Sequence, residues 1–190
     1  MRVLYGRYYA ARDVAVAAQI PDGASVLELC CGPARLYLRE LRGRIGSYVA
    51  IDASAVFVER LRRRGVDARQ ADVRTADLPL ADVVVMQASL YHFLPDAEGM
   101  LGRMRAAATA SVVIAEPVRN LASSRLGLVA RLGAGGAATA QGAQAQRFDA
   151  ESLRALMERF GADVLFSAPV PGGRDHVYVL AGTADRAGAG

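Results

Sequence analysis

The run Val26-Leu27-Glu28-Leu29-Cys30-Cys31-Gly32-Pro33-Ala34, followed by Asp52, constrains the fold of this chain more than any other stretch. A strand-like segment, Val26 to Leu29, runs straight into a glycine-containing turn, and a second strand-like run, Ser47 to Ile51, ends in a carboxylate. Between them Leu36 to Leu41 reads as the core of a helix. Two strands joined through a helix at so short a spacing form a parallel βαβ unit. Ligands of such sheets sit beyond the carboxyl ends of the strands, so the loop from Cys30 to Ala34 and Asp52 belong to the ligand-facing edge.

The same alternation continues downstream. Ser54 caps a predicted helix through Arg63 that Gly65 stops, Val66 to Ala71 reads as a third strand and Asp82 to Met86 as a fourth. Asp96 caps a helix with Met100, Leu101 and Met104 on one apolar stripe, and Ser111 to Ala115 is a fifth strand ending at Glu116-Pro117. Asp149 opens a helix through Phe160 with Leu153, Leu156, Met157 and Phe160 on one face. Ala162 to Ala168 and His176 to Ala181 form two late strands, and the short Pro/Gly connection between them predicts antiparallel pairing.

At 190 residues, 53% hydrophobic and 22% charged, the chain has the size and composition of one soluble globular domain. The expected domain covers residues 1–182, with 1–20 as an N-terminal cover, 119–148 as a lid or substrate wall, and 183–190 as a tail. No apolar run reaches the length of a membrane span and the N-terminus lacks a secretory signal, so the expected setting is cytoplasmic, without a membrane partner. All basic side chains are Arg, which excludes lysine Schiff-base chemistry. The net charge of +4 and the run Arg60, Arg62, Arg63 and Arg64 fit either a solvated helix end or an RNA-facing surface. Cys30 and Cys31 are adjacent, have no second ligand pair for zinc and read as reduced residues of a packed turn; no metal site is expected.

The loop chemistry narrows the ligand. Gly32 permits close backbone approach and Ala34 extends that clearance, while Asp52 offers two acceptor oxygens for the vicinal hydroxyls of a ribose, or else caps the turn beside Ser54. A dinucleotide fingerprint anchored on Gly32 would put Cys30 at its first small position and Arg35 at its third, where close helix packing is required. Arg35 therefore argues against that class of cofactor.

On these residues the chain resembles the class I S-adenosylmethionine-dependent methyltransferases, from about Val26 through Ala181. The family's acidic, glycine-rich loop is matched by Glu28, Cys30, Gly32 and Ala34, although glycine is common at the positions of Cys30 and Ala34. Its carboxylate after the second strand is matched by Asp52, with Ala53 beside it, and its adenine-facing acid by Asp72. The resemblance implies a Rossmann-like α/β sandwich: a mostly parallel seven-stranded sheet with a C-terminal antiparallel strand. It implies S-adenosyl-L-methionine as cofactor and S-adenosyl-L-homocysteine as product. By the same resemblance Glu28 orients the loop or the cofactor's amino end, and Gly32 approaches the methionine moiety. Asp72 accepts from the adenine amino group while Val73 supplies a backbone donor; a turn cap toward Thr75 is the plainer role for Asp72. The resemblance also implies Gln87 and Ala88 near the donor, with Leu90 covering its apolar parts.

Candidates for the chemistry are Tyr91 and His92, which follow the fourth strand, and Glu116, which ends the fifth. His92 suits a general base or a hydrogen-bonded packing residue, and Glu116 a base or a partner of the chain around Val118 and Arg119. Tyr5, Arg7, Tyr8, Tyr9 and Phe93 are candidate substrate contacts. Family members that methylate nucleic-acid amines often carry an Asn/Asp-Pro-Pro-aromatic signature where this chain has Gln87-Ala88-Ser89-Leu90, which favours a small-molecule acceptor with an oxygen, nitrogen or carbon nucleophile. An inactive cofactor-binding or assembly protein and an RNA methyltransferase are the competing readings, and the resemblance leaves room for a homodimer.

Overall fold

The alternating strands and helices assemble one seven-stranded sheet. The computed structural model describes residues 2–118 and 147–183, with side chains from Tyr9 onward. Its strands are β1 (Ser25–Leu29), β2 (Ser47–Asp52), β3 (Asp67–Gln70), β4 (Ala81–Gln87), β5 (Ala108–Pro117), β6 (Val164–Pro169) and β7 (Asp175–Ala181). They lie in the order β3-β2-β1-β4-β5-β7-β6. β1 to β5 run parallel, β7 is antiparallel to β5, and β6 is antiparallel to β7. This is the expected Rossmann-like sheet with an antiparallel end.

Successive residues of a strand face opposite sides, and here both sides are covered. Val26, Ala50, Val83, Val85 and Val113 point to one face, where they meet Val16 and Ile20 near the end of α1 (Arg2–Ala17) and Val58 and Leu61 of α2 (Ala55–Arg62). Leu27, Leu29, Val84, Met86 and Ile114 point to the other. There they pack on Met100, Leu101 and Met104 of α3 (Ala97–Ala107) and on Leu153 and Met157 of α4 (Ala150–Glu158). The two-sided burial explains why the strand sequences read as continuous apolar runs.

The expected caps are in place: Ser54 Oγ accepts from Phe57 N, Asp96 from Gly99 N, and Asp149 forms a reciprocal box with Ser152. Two expectations change. Leu36 to Leu41 supplies no full helix but a single π-helical turn, Tyr37–Leu41, closed by Arg42 N donating to Tyr37 O at 2.8 Å. β5 continues beyond Ala115 through Glu116 and Pro117, which pair with His176 and Asp175. Pro117 is tolerated because it is the last residue of the strand. The N-terminal segment, expected as a cover, is the helix α1, lying against β5, β7 and the π-helical turn.

Strand order reverses between β1 and β4, so the loops leaving these two strands diverge and open a crevice at their carboxyl ends. No described helix is long and apolar enough to cross a membrane. The expected tail residues 184–190 lie outside the described residues, as does most of the expected lid, residues 119–146.

Candidate active site

The turn after β1 is built from unusual backbone. Cys30, Gly32 and Ala34 all adopt left-handed conformations, with φ of 53°, 52° and 49°. Glycine meets this at no steric cost, whereas Cys30 and Ala34 hold it against an intrinsic preference, so the surrounding structure must fix the turn. Asp52 does much of that fixing: one carboxylate oxygen accepts from Gly32 N and the other from Ser54 N, each at 2.8 Å. The end of β2 thereby holds the loop that leaves β1.

Two cavities meet at this loop, sharing Cys30 and Gly32. The larger, about 560 Å³, runs past Asp52, Ala53, Asp72 and Val73 to Ser89 and His92. The other, about 350 Å³, is walled by Tyr9, Arg12, Asp13, Glu28, Arg35 and Gln87. Glu28 is buried, accepts the Tyr48 hydroxyl proton in a short hydrogen bond, and is pushed up by burial to about 7. Tyr48 is in turn stacked on Tyr37, with ring centroids 4.0 Å apart, which ties the π-helical turn to this wall. From α1, Arg12 donates through Nε to Gln87 Oε1 at 3.2 Å and stands 3.7 Å from Asp175. Asp13 pairs with Arg35 at 3.2 Å, and the guanidinium carbons of Arg12 and Arg35 lie 5.1 and 5.0 Å from the centre of the Tyr9 ring. The thiols play no ionised part, since burial raises both and holds Cys30 at about 12.

The chain leaving β4 forms the third side. Ala88 is left-handed, with φ of 49°, and a short 3-10 turn, Leu90–Phe93, follows. Glu116 at the end of β5 fixes that turn: one oxygen accepts from Ser89 N at 2.6 Å and from Leu90 N at 2.8 Å. Tyr91 and His92 project from it with ring centroids 4.0 Å apart.

A methyltransferase-domain family model matches residues 4–166, most of the chain. The chain belongs to the class I S-adenosylmethionine-dependent methyltransferases. One curated relative, the trans-aconitate 2-methyltransferase of Mycolicibacterium gilvum, is 41% identical over 87 residues. That match spans 43% of this chain and 34% of the relative, so the chain covers about a third of that protein's length. Among solved structures, the magnesium protoporphyrin IX methyltransferase of Synechocystis with bound S-adenosylhomocysteine superposes with a TM-score of 0.69 at 14% identity, over 93% of this chain and 84% of that one. A TehB-like methyltransferase from Corynebacterium glutamicum gives 0.60 at 17% identity, over 91% and 88%.

Two observations fit the methyltransferase cofactor to this crevice. A Cβ added at Gly32 would meet no atom within 4 Å, so the loop leaves open space on the cavity side. Arg35 lines the smaller cavity, and its buried Nε has no hydrogen-bond partner among the described residues, donor capacity that a bound carboxylate would satisfy.

The remaining expected residues sort by position. Tyr9 and Phe93 line cavities, whereas the side chains of Tyr5, Arg7 and Tyr8 lie outside the described residues. Ala34 and Leu90 are fully buried in the core and line neither cavity at the loop. Asp72 lines the larger cavity while its carboxylate is gripped by Arg74 through Nε and Nη2, which holds it below the usual carboxylate range. Glu116 departs from its expected catalytic place: it is fully buried, lines neither cavity at the loop, and serves the Ser89 and Leu90 amides instead. Among the described residues it does not bind Val118, whose amide donates to Arg174 O, and Arg119 lies outside them. Arg12, Asp13 and Arg35 were not anticipated from sequence as site residues. The signal for Arg35 was its place directly after the loop, where it argued only against a dinucleotide.

Proposed function

We propose that this protein transfers a methyl group from S-adenosylmethionine to a small-molecule nucleophile, as a single domain spanning residues 1–182 in a cytoplasmic setting. The observation that carries this reading is the pair of cavities joined at Cys30 and Gly32, one with the acceptors a nucleoside needs and the other with paired charges suited to an amino-acid zwitterion. Asp52, already oriented by Gly32 and Ser54, keeps lone pairs for ribose hydroxyls. Asp72 and the Val73 backbone face the base. Arg35 and Arg12 are placed to hold a carboxylate, and Glu28 and Asp13 to hold an ammonium.

When bound, S-adenosylmethionine supplies a methyl carbon activated by its sulfonium sulfur. The protein's task is then orientation and exclusion of water. The turn carrying Tyr91 and His92, pinned by Glu116, forms the acceptor side. Burial, and next the charge of Arg147, lower His92, so its neutral imidazole can take a proton from an acceptor hydroxyl or amine.

The relatives support a small acceptor: one is a trans-aconitate methyltransferase, another a magnesium protoporphyrin IX methyltransferase. An RNA surface is less well supported, because Arg62 donates to Ala68 O and Arg63 pairs with Glu59, leaving less of that basic run free. Calorimetric titration with S-adenosylmethionine and S-adenosylhomocysteine tests the reading. Both bind the native protein, and Asp52→Ala weakens both by roughly tenfold or more, the scale of hydrogen bonds to a charged group. No binding of either ligand by the native protein would reject it.

A further inference from the structure

Arg147 stands against the turn that carries Tyr91 and His92. Its Cζ stands 4.6 Å from the centre of the Tyr91 ring, and Tyr91 packs on His92. The other arginines near this mouth are committed. Arg74 grips Asp72, and Arg103 donates to the backbone carbonyls of Val73 and Ala76. The nearby acids are committed too: Asp72 to Arg74, Asp96 to Gly99 N at the start of α3, and Asp149 to Ser152 at the start of α4. Arg147 is exposed and makes no ion pair or hydrogen bond among the described residues. A guanidinium laid over an aromatic face is held in orientation while its N–H edge stays available, the geometry that suits bidentate capture of a carboxylate.

The turn beneath it is itself fixed, because Glu116 holds the Ser89 and Leu90 amides. His92 and Phe93 of that turn line both the larger cavity and an adjoining one of about 460 Å³, room enough for a small organic acid, and Tyr91 with Arg147 stands beside His92, outside the lining of both. We propose that Arg147, seated on Tyr91, is the specificity residue that binds a carboxylate of the methyl acceptor, so that this enzyme acts on organic acids. This rests on the methyltransferase reading above. It concerns anchoring alone; the acceptor atom that is methylated lies elsewhere on the same molecule or on a second carboxylate.

The test uses the full chain saturated with S-adenosylhomocysteine and a panel of aliphatic mono-, di- and tricarboxylic acids and aryl carboxylates, each paired with its primary amide. Ligand-observed NMR reads binding, and release of S-adenosylhomocysteine from S-adenosylmethionine reads turnover. At least one acid binds roughly tenfold or more tightly than its amide. Read at about pH 8, where an imidazole is neutral with or without the Arg147 charge, Arg147→Ala raises the KM for that acid by a similar factor with little change in kcat, Arg147→Glu abolishes its binding, and Arg147→Lys restores part of it. Cofactor-product affinity, followed by calorimetry, is unchanged in all three variants. The proposal is overturned if amides bind as well as acids, if Arg147→Ala leaves acid binding intact, or if no acid in the panel binds while S-adenosylhomocysteine does. Loss of S-adenosylhomocysteine binding by the native protein would instead reject the methyltransferase reading, and this one with it.

Discussion

Glu28 shows how a residue legible in the sequence acquires its chemistry only from the fold. Its place before the loop marked it as a cofactor contact, but the sequence could not show that burial beside Tyr48 lifts its carboxyl from 4.5 to about 7. A folded-state pKa above the unfolded value means the folded protein holds the proton more tightly. The associated stability is complete below about 4.5 and is lost as pH rises through about 7. Glu28→Gln keeps an acceptor for Tyr48 and removes the ionisation. It should flatten the stability profile across that window and raise stability near pH 8 by roughly 1–3 kcal/mol, read by urea unfolding at stepped pH. Glu116 is raised to about 7 by the same cause, burial, so some slope persists in the variant. An unchanged slope in Glu28→Gln would show that Glu28 is not the group responsible. Arg12 and Asp13 were hidden for a related reason: a buried ion-pairing residue on a helix looks, in sequence, like a solvated one.

Among the elements, legibility followed apolar pattern. β1, β2, β4 and β5 read clearly because each carries a run of buried aliphatic residues, and α2, α3 and α4 because Ser54, Asp96 and Asp149 stand at their starts. α1 did not, since the part of it that faces the site buries Arg12 and Asp13 among small alanines rather than an aliphatic stripe. Leu36 and Leu41, both buried, have a spacing that fits an α-helical or a π-helical turn, so the sequence pattern does not separate the two geometries at Tyr37–Leu41. The sheet also has a polar fastening invisible to pattern. Asp82 at the start of β4 accepts from Ser25 N and Oγ at 2.7 Å and from Thr109 Oγ at 3.0 Å, joining the amino ends of β1, β4 and β5. Asp82→Ala should cost roughly 1–3 kcal/mol in chemical denaturation, the sum of a few partly exposed bonds, one of them to a backbone amide left unpaired. A loss under about 0.5 kcal/mol would mean that the backbone ladder alone aligns these strands.

For the whole molecule, the sheet's reversal between β1 and β4 does what no single motif does: it brings the β1 loop, the end of β2, the β4 turn and α1 to one crevice. The two cavities there share a wall, so a ligand long enough to fill both is bound as one piece, its second half meeting the site at a high effective concentration. A ligand that binds only the folded state at about 100 times its Kd adds roughly 2.7 kcal/mol, and a chain of this size gains roughly 2–4 °C per kcal/mol. S-adenosylhomocysteine should therefore raise Tm by roughly 5–10 °C at that saturation. Adenosine and homocysteine supplied together at the same concentrations should raise it much less, because each half pays its own cost of association. Differential scanning calorimetry of the native protein and Asp52→Ala decides the matter. Equal shifts from the joined ligand and its separated halves would mean that the cavities do not act as one site, and an Asp52→Ala shift as large as the native one would remove the β2 carboxylate from it.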